Sequence, residues 1–510
     1  MSTSIFEIIG PIMIGPSSSH TAGMARIGMM TNRIVGGGIK YVNIEFSPML
    51  RTTYSGHRSH VALIGGVIGL CESDTKIRDA ISLAHNQGIE TNVDFLPEGK
   101  YPQNTARLIV GCNDGRVVTV VGTSIGGGSI VISSVDDVII NIFPEAYHII
   151  IWSNNDLDLS ETADTIQKGE GPKGFVTCLT FSNMPSETLL SQLYKLKGVT
   201  DIRVIRPILD YGVSLSNEES YKSCSDLCRV AQQSGLTISE LAIKYEASRS
   251  GFPEKNIRNL MLQNLKKMKE SVRAGEKSNK LLYGLASGKD AYLLGKAVNE
   301  KKTISGGIVP LAVSKALGVM EHNGSMGVIV AAPTAGSSGI VPGCFITLQD
   351  KYGFSDDAIV DALFVCGIMG VIMANRKVSF SGSVGGCQGE VGVSSAISAS
   401  GMVSLFSEDP MKVVHAMALC LKNLLGLVCD PIAGPIEIPC IKRNAVGVAN
   451  AFISADMALA GIHSFIPPDE VIDALVDVEN RLPQELKCAT VGGLASTCTA
   501  KKVREDLLNQ

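Results

Sequence analysis

The chain has 510 residues, of which 45% are hydrophobic and only 18% charged, a balance that demands extensive burial and more than one core. A net charge of −4 without any basic block gives no footing for nucleic acid or an anionic membrane, and neither is expected as a partner. The opening MSTSIFEIIGPIMIGPSSSH lacks a secretory signal pattern. The longest apolar run, ALFVCGIMGVIMA from Ala362 to Ala374, is shorter than the roughly 20 residues of a spanning helix, so a buried core helix and a cytoplasmic protein are expected.

Along the chain, residues 1–146 mix strands and helices. YVNIEFS and VVTVVGTSI read as strands, HVALIGGVIGLC and KIRDAISLAHNQG as helices, the second stopping at Gly88. SIGGG (124–128) reads as a tight turn between strands, because no helix with a phosphate-seeking lysine follows. Residues 147–207 form a small α+β theme: strands YHIIIWS, GFVTCLTFS and VTDIRVIRP, with SETLLSQLYKL as a helix started by serine. Residues 208–510 are largely helical. A polar stretch ends in the charged LQNLKKMKESVRAGEKSNK, and long helices rich in Gly, Ala, Ser and Met follow, such as VDALFVCGIMGVIMANR and KVVHAMALCLKNLLGLV. The expected fold is multidomain: an α+β N-terminal domain, a small α+β domain and a largely α-helical C-terminal domain.

Four glycine-rich stretches interrupt the helical part: YGLASGKDA (283–291), AAPTAGSSGIVPG (331–343), SFSGSVGGCQGEVG (379–392) and GLVCDPIAGPIEIPCIKRN (426–444). Glycine lets backbone approach a bound group. Single loops of this kind are ordinary connections, but four in one domain point to a site. Thr334, Gly336 and Ser337 lie in the second. Of thirteen cysteines most read as small buried hydrophobes, Cys366 and Cys420 among them. Cys387, Cys429 and Cys440 instead read as loop residues, and three loop thiols suit a metal or an iron–sulfur cluster. Their spacing fits neither a zinc ribbon nor a ferredoxin. Three thiolates on a four-iron cube would leave one iron open as a Lewis acid. In the N-terminal domain, GPSSSHTAG supplies Ser17, Ser18, Ser19, His20 and Thr21, SGHRSH supplies His57 and His60, and PQNTARL supplies Asn104 and Arg107. Hydroxyls suit a carboxylate and imidazoles suit proton transfer near neutral pH.

IGPIMIGPSSSHTAGMARIG, GTSIGGG, AAPTAGSSGIVPG, GGCQGEVG and LKNLLGLVCDPIAGPIEIPCIKRNAVGVANAFISADMALAG together resemble the iron–sulfur-dependent L-serine dehydratases (L-serine ammonia-lyases) over most of the chain. The resemblance implies a β-like domain at 1–146, a short ACT-like (ferredoxin-like) domain at 147–207 and an α-like helical domain at 208–510 carrying the cluster. It implies a [4Fe-4S] cluster on Cys387, Cys429 and Cys440, with one iron free for the 3-hydroxyl of a small amino-acid substrate. A base removes the α-proton, and the aminoacrylate released hydrolyses to pyruvate and ammonia. His57 is the implied base, with His20 and Ser18 beside it. Ser17, Ser19, Thr21, Asn104, Thr334, Gly336 and Ser337 are implied substrate contacts. Lys442 and Arg443 are expected to balance cluster charge or bind the carboxylate.

The chain departs from the family at Arg58-Ser59-His60, where the family has a small residue or His and then Thr-Asp, and at Pro102-Gln103-Asn104, where it has His-Pro-Asn. The ACT-like stretch is short in WSNNDLDLSETADTIQKGEGPKG, so a structural or homodimer-forming role is expected of it rather than regulation. Cys498, near the end, is not expected to be a ligand. Two alternatives stand beside the serine lyase: the same elimination on L-threonine or L-cysteine, and a non-catalytic cluster sensor. A pyridoxal-phosphate enzyme would need a Schiff-base lysine in a phosphate-cradling loop, which Lys289 imitates poorly.

Overall fold

Strands and helices mix up to about residue 205 and helices prevail beyond it in the structure, a computed structural model. It describes residues 3–99, 101–159, 162–209, 211, 221–277, 283–285, 288–488 and 491–508. The end of the charged tail (278–280) and residues 286–287 of the first glycine-rich stretch lie outside the described residues. By packing, the chain forms two units: Ser19–Leu215, and Met1–Ser18 together with Ser216–Gln510.

The chain begins with a one-turn helix (Ile5–Ile8) and β1 (Ile12–Ile14). In the sheet-rich unit, β2 (Ile39–Phe46), β3 (Glu90–Phe95), β4 (Thr105–Cys112), β5 (Val117–Gly126), β6 (Ser129–Val135) and β7 (Val138–Ile142) form one sheet. Its order is β3-β2-β4-β5-β6-β7, with β2–β3 parallel and the other pairs antiparallel. The register sets Val42 against Val110, Ile44 against Leu108 and Phe46 against Ala106. All six are buried, so period-two alternation puts them on one core face. The expected tight turn joins β5 to β6: Gly126, Gly127 and Gly128 all have positive φ (113°, 60° and 91°), a run that other residues rarely adopt.

Two helices, Gly23–Val35 and Ser59–Val67, cross at bare backbone. A Cβ on Gly28 would lie 2.2 Å from the Leu63 carbonyl oxygen, and one on Gly66 would lie 2.0 Å from that of Ala25. This contact fixes the chain just before each helix, which is where His20 and His57 stand.

A second sheet in the same unit holds β8 (Tyr147–Ser153), β9 (Thr165–Gly171), β10 (Gly174–Phe181) and β11 (Val199–Ile205), in the antiparallel order β11-β8-β10-β9. That is the strand order of a ferredoxin-like fold. One helix, Glu187–Leu193, is present, capped by the Ser186 hydroxyl accepting from Leu189 N as the sequence predicts. Among the described residues, none between β8 and β9 is helical, which agrees with the shortness noted above. Ile149, Ile151, Leu179, Leu193 and Ile202 make its core. The two sheets are tied by the Gln167 side chain, which both accepts from Asn141 N and donates to Asn141 O at 2.9 Å, and by Trp152 Nε1 donating to Asp136.

In the helical unit, β1 pairs antiparallel with β12 (Val328–Val330). The first residues, read from sequence with the N-terminal domain, pack here. Glu246 accepts from Ser4 Oγ and Ile5 N at 2.8 Å each, and Asn264 donates to the Ile9 carbonyl at 2.6 Å. The helix Asp356–Asn375 takes the apolar run and buries it. It is the one described helix long and apolar enough to cross a membrane, and 78% of its most apolar window is inside the core. Its glycines have a packing reason, since Cβ atoms at Gly367 and Gly370 would strike Ile5 (2.4 Å) and Ile8 (2.3 Å). The helix Val393–Ser404 is buried along nearly its whole length, and its serine hydroxyls are all bonded to backbone carbonyls, Ser395 to Gly447 and Ser400 to Val413 among them.

Candidate functional site

The three cysteines singled out from sequence meet in the helical unit. Cys387 follows Gly386, whose φ of 74° suits glycine, and leads into a single π-turn, Gln388–Gly392. Gln388, fully buried, stitches that turn to the next segment: its N donates to Leu427 O, its Oε1 accepts from Gly426 N, and its Nε2 donates to Leu475 O. Cys429 lies in a short extended stretch bridged in parallel to Lys487. Cys440 was expected in a loop. It is instead the first residue of the helix Cys440–Leu459, where unpaired backbone N–H groups favour negative charge. The prolines and glycines before it end at Pro439, and the helical spacing of residues 441–459 explains the difference. Asn444 donates to Cys440 O at 2.9 Å and to Gly336 O at 2.9 Å, and accepts from Gly339 N. That one side chain therefore ties the third thiol to the Thr334–Gly339 loop.

Ligand atoms of Cys387, Cys429 and Glu390 lie within 4.8 Å of one another. The Cys429 thiol is pushed far above its ordinary value by its interactions with Cys387 and Cys488 and then by burial. Cys440 is pushed up too, by burial first and then by Cys387, Glu390 and Cys488. Glu390 is raised to about 7 because the protein removes it from water, against a Thr334 hydrogen bond and the Arg443 charge. The one cation among these groups is Arg443. Burial works against its charge, but the Cys387 sulfur and Asp430 outweigh that and hold it protonated. It donates to Cys387 Sγ (3.5 Å) and Val428 O (2.7 Å) and pairs with Asp430 at 2.6 Å.

The recess is lined by backbone. A Cβ on Gly382 would lie 3.0 Å from Cys429 Sγ and 2.8 Å from a Glu390 oxygen, and one on Gly336 would lie 3.4 Å from Glu390. Two soft thiols at this glycine-lined recess, with a third, Cys440, close enough to interact with Cys387, suit an iron–sulfur cluster better than a hard cation.

In the sheet-rich unit, the His20 and His57 rings stack with centroids 4.5 Å apart and planes 17° apart. His20 Nδ1 bonds Ser19 Oγ at 3.1 Å, and the Thr21 hydroxyl donates to the His57 carbonyl at 2.8 Å. Asn104, held at φ 59°, hydrogen-bonds the His20 ring. Burial depresses His20 to about 4. It drives His57 well below its ordinary value, with the neighbouring His20 adding to the effect. His60 also falls to about 4, through burial and the nearby Arg58, and its ring meets Tyr54 edge-on. Ser47 Oγ, Thr53 Oγ1, His57 Nδ1, Ser59 Oγ and Ser124 Oγ are buried with no hydrogen-bond partner among the described residues. Buried polar atoms are rarely left so.

Thr334 and Ser337 share a hydroxyl contact of 3.2 Å, and Ser337 donates to Ala332 O. Ser17 is partly buried and Ser18 buried. Lys442 stands apart from the thiols: it is exposed, and its Nζ is 3.4 Å from Asp290. Cys498 is exposed and opens the helix Cys498–Leu508. Sequence reasoning passed over Glu390, Asp430 and Cys488. Glu390 had a signal, three positions beyond Cys387 in GGCQGE. Cys488 had none, since its only link to Cys429 is through the fold.

Residues 233–495, about half of the chain, match the family described as serine dehydratase alpha chain. The chain is 39% identical over 287 residues to the probable L-serine dehydratase, alpha chain, of Bacillus subtilis, covering 56% of this chain and 95% of that protein. It is 36% identical over 290 residues to the L-serine dehydratase, alpha chain, of Peptoniphilus asaccharolyticus, covering 56% and 97%. Across nearly the full length, 98% of this chain and 99% of the other, it is 26% identical to L-serine dehydratase 2 of Escherichia coli.

Proposed function

The chain belongs to the serine dehydratase alpha chain family and is an L-serine dehydratase, a lyase, and from that premise we propose that it works through a [4Fe-4S] cluster held by Cys387, Cys429 and Cys440. The supporting observation is that Cys387 and Cys429 meet, with Glu390, in one glycine-lined recess, and that the buried Cys440 thiol feels Cys387 and Glu390. Bound there, the cluster would supply a Lewis-acidic iron that makes a hydroxyl a better leaving group.

The chain's own residues do the rest. His57 is the base for the α-proton. Burial and the adjacent His20 keep its ring neutral at pH 7, against a hydrogen bond to the Thr53 backbone, and a neutral imidazole can take a proton. His20, held by Ser19 and Asn104, braces the His57 ring by stacking. Ser17, Ser18 and Ser19, with Asn104, offer hydroxyl and amide donors to the substrate carboxylate, while Thr21, whose hydroxyl is committed to the His57 carbonyl, holds the base in place. Thr334, Gly336 and Ser337 shape the recess around Glu390. Arg443 balances charge: its donors are already directed at Asp430, Val428 and Cys387.

The test is to purify the protein without oxygen, record its visible spectrum and follow pyruvate after adding L-serine. Broad absorbance near ~400 nm, as thiolate-ligated clusters give, with pyruvate formation that air abolishes, is the expected result. A chain that binds no iron or sulfide on reconstitution would sink the reading. A cluster without pyruvate would turn attention to L-threonine, L-cysteine or a sensing role.

A further inference from the structure

We propose that Cys429 and Cys488 form a reversible disulfide in the cluster-free chain, and that this bond gates loading of the thiol site. The two cysteines are 59 positions apart in sequence but neighbours in the fold. Cys488 N donates to Cys429 O at 2.6 Å and Cys429 N donates to Leu486 O at 2.8 Å, the two bonds of the lone parallel bridge between Cys429 and Lys487. The 2.6 Å hydrogen bond from Cys488 N to Cys429 O keeps the two Cα atoms within roughly 6.5 Å by bond geometry, inside the roughly 4.4–6.8 Å window of disulfides. Cys488 is also among the groups that act on the Cys429 thiol. Cys488 is held at φ 59°, a left-handed conformation that non-glycine residues rarely adopt and that tends to mark functional positions.

The difference in exposure between the two sets the order of events. Cys488 is partly exposed and Cys429 is buried. A small-molecule disulfide therefore meets Cys488 first. The Cys488 thiolate attacks one of its sulfurs and releases one small thiolate. The Cys429 thiolate then attacks the Cys488 sulfur of the mixed disulfide and releases the second. Two protein thiols and one small disulfide become one internal disulfide and two small thiols, and the two protons leave with the released thiols. The small disulfide is reduced and the protein pair oxidised by the same two electrons. The consequence for loading rests on the cluster reading above, because the bond withdraws one of its three ligands. The disulfide itself does not depend on that reading. The competing pair is Cys387 with Cys429, whose sulfurs lie within 4.8 Å of each other.

The test uses the full cluster-free chain, reduced and then treated without oxygen with oxidised glutathione. Free thiols are alkylated, and the digest is mapped by mass spectrometry. A linked pair of peptides carrying Cys429 and Cys488, lighter by two hydrogens and separated by reductant, is expected. Iron and sulfide uptake should fall at least ~10-fold on oxidation and return on reduction, as expected when a ligand thiol is tied up. Cys488→Ser should take up iron after the same treatment to within about twofold of its untreated level. A link between Cys387 and Cys429, a glutathione adduct on Cys488 with Cys429 fully alkylated, or equal loss of uptake in Cys488→Ser would overturn the assignment. Failure of the reduced chain to bind iron would instead count against the cluster, and the linked peptides would still be read independently.

Discussion

The thiol recess and the histidine pair place titratable groups out of water by opposite means. The recess is made of helix starts and glycine-lined backbone, with Gly382 and Gly336 leaving no room for side chains. His20 stands on a π-turn, Ser18–Ala22, and His57 on the turn before Ser59–Val67, and the two helices that follow them cross at Gly28 and Gly66. Loss of water favours the neutral form of both, so Cys440 moves up and His20 and His57 move down. The outcomes differ in use. A neutral imidazole is a base ready to work at pH 7. A neutral thiol is not yet a ligand and must lose its proton to whatever cation arrives. On the proposed reading, the thiols of the helical unit would have to give up protons to bind iron, while the histidines of the sheet-rich unit are already neutral.

The sharpest way to break this contrast is to change one member of each set. Replacing Cys387, Cys429 or Cys440 by serine should abolish cluster absorbance and lower serine turnover by at least roughly 1,000-fold, because the change removes a soft ligand rather than a contact. His57→Ala should lower kcat about 10²–10⁴-fold, the range of a lost general base, with iron and sulfide content unchanged. A His57→Ala variant that keeps full turnover would remove it as the base. Loss of iron in that variant would show that the two regions are not separable in this way.

Next in size is Arg443→Ala. Asp430 is buried, and Arg443 is its ion-pair partner at 2.6 Å. Removing one side of a buried pair leaves an uncompensated charge, which costs on the order of 3–5 kcal/mol. Denaturant unfolding of the cluster-free chain measures that loss. Arg443→Lys, which keeps the charge without the fork of donors, should recover part of it.

A pH series sharpens the histidine side. His20 titrates at about 4 in the fold against about 6.5 when unfolded. Above pH 6.5 both states are neutral and nothing is lost. As pH falls from 6.5 toward 4 the unfolded chain takes up the proton first, so stability declines, and the loss is complete below about 4. It should amount to roughly 3 kcal/mol for His20. Trp152, the only tryptophan in the chain, lies in the sheet-rich unit and reports its unfolding by fluorescence. His20→Gln should flatten the acid limb of that profile.

Much of this was legible in the residues. Strands such as Tyr147–Ser153 and the helix Asp356–Asn375 follow from alternation and apolar length, and the triple glycine turn from the missing lysine helix. The thiols were legible because three cysteines stood out in glycine- and proline-rich sequence. What could not be read was anything set by long-range pairing. Glu246 claims the first residues for the helical unit, and nothing in SIFEII points to it. Cys488 reaches Cys429 only through a bridge between segments that carry no strand signal. Cys440 reads as a loop residue because prolines stand ahead of it, while the helical spacing lies entirely behind it.

The smallest expected effect separates two neighbours that sequence treats alike. Lys442 and Arg443 both follow Cys440 closely, and both were expected to balance charge or bind carboxylate. On a helix, adjacent residues point about 100° apart, so only one of them can face the thiols. Arg443 does, at 3.5 Å from the Cys387 sulfur. Lys442 turns outward, 69% exposed, with Asp290 3.4 Å away. An exposed pair of that kind is worth less than about 1 kcal/mol. Lys442→Ala should therefore leave kcat/KM for L-serine within about twofold and unfolding within about 0.5 kcal/mol, the range of surface changes. A fall in kcat/KM of tenfold or more would mean that Lys442 reaches the substrate after all, and the outward direction of its side chain would have to change on binding.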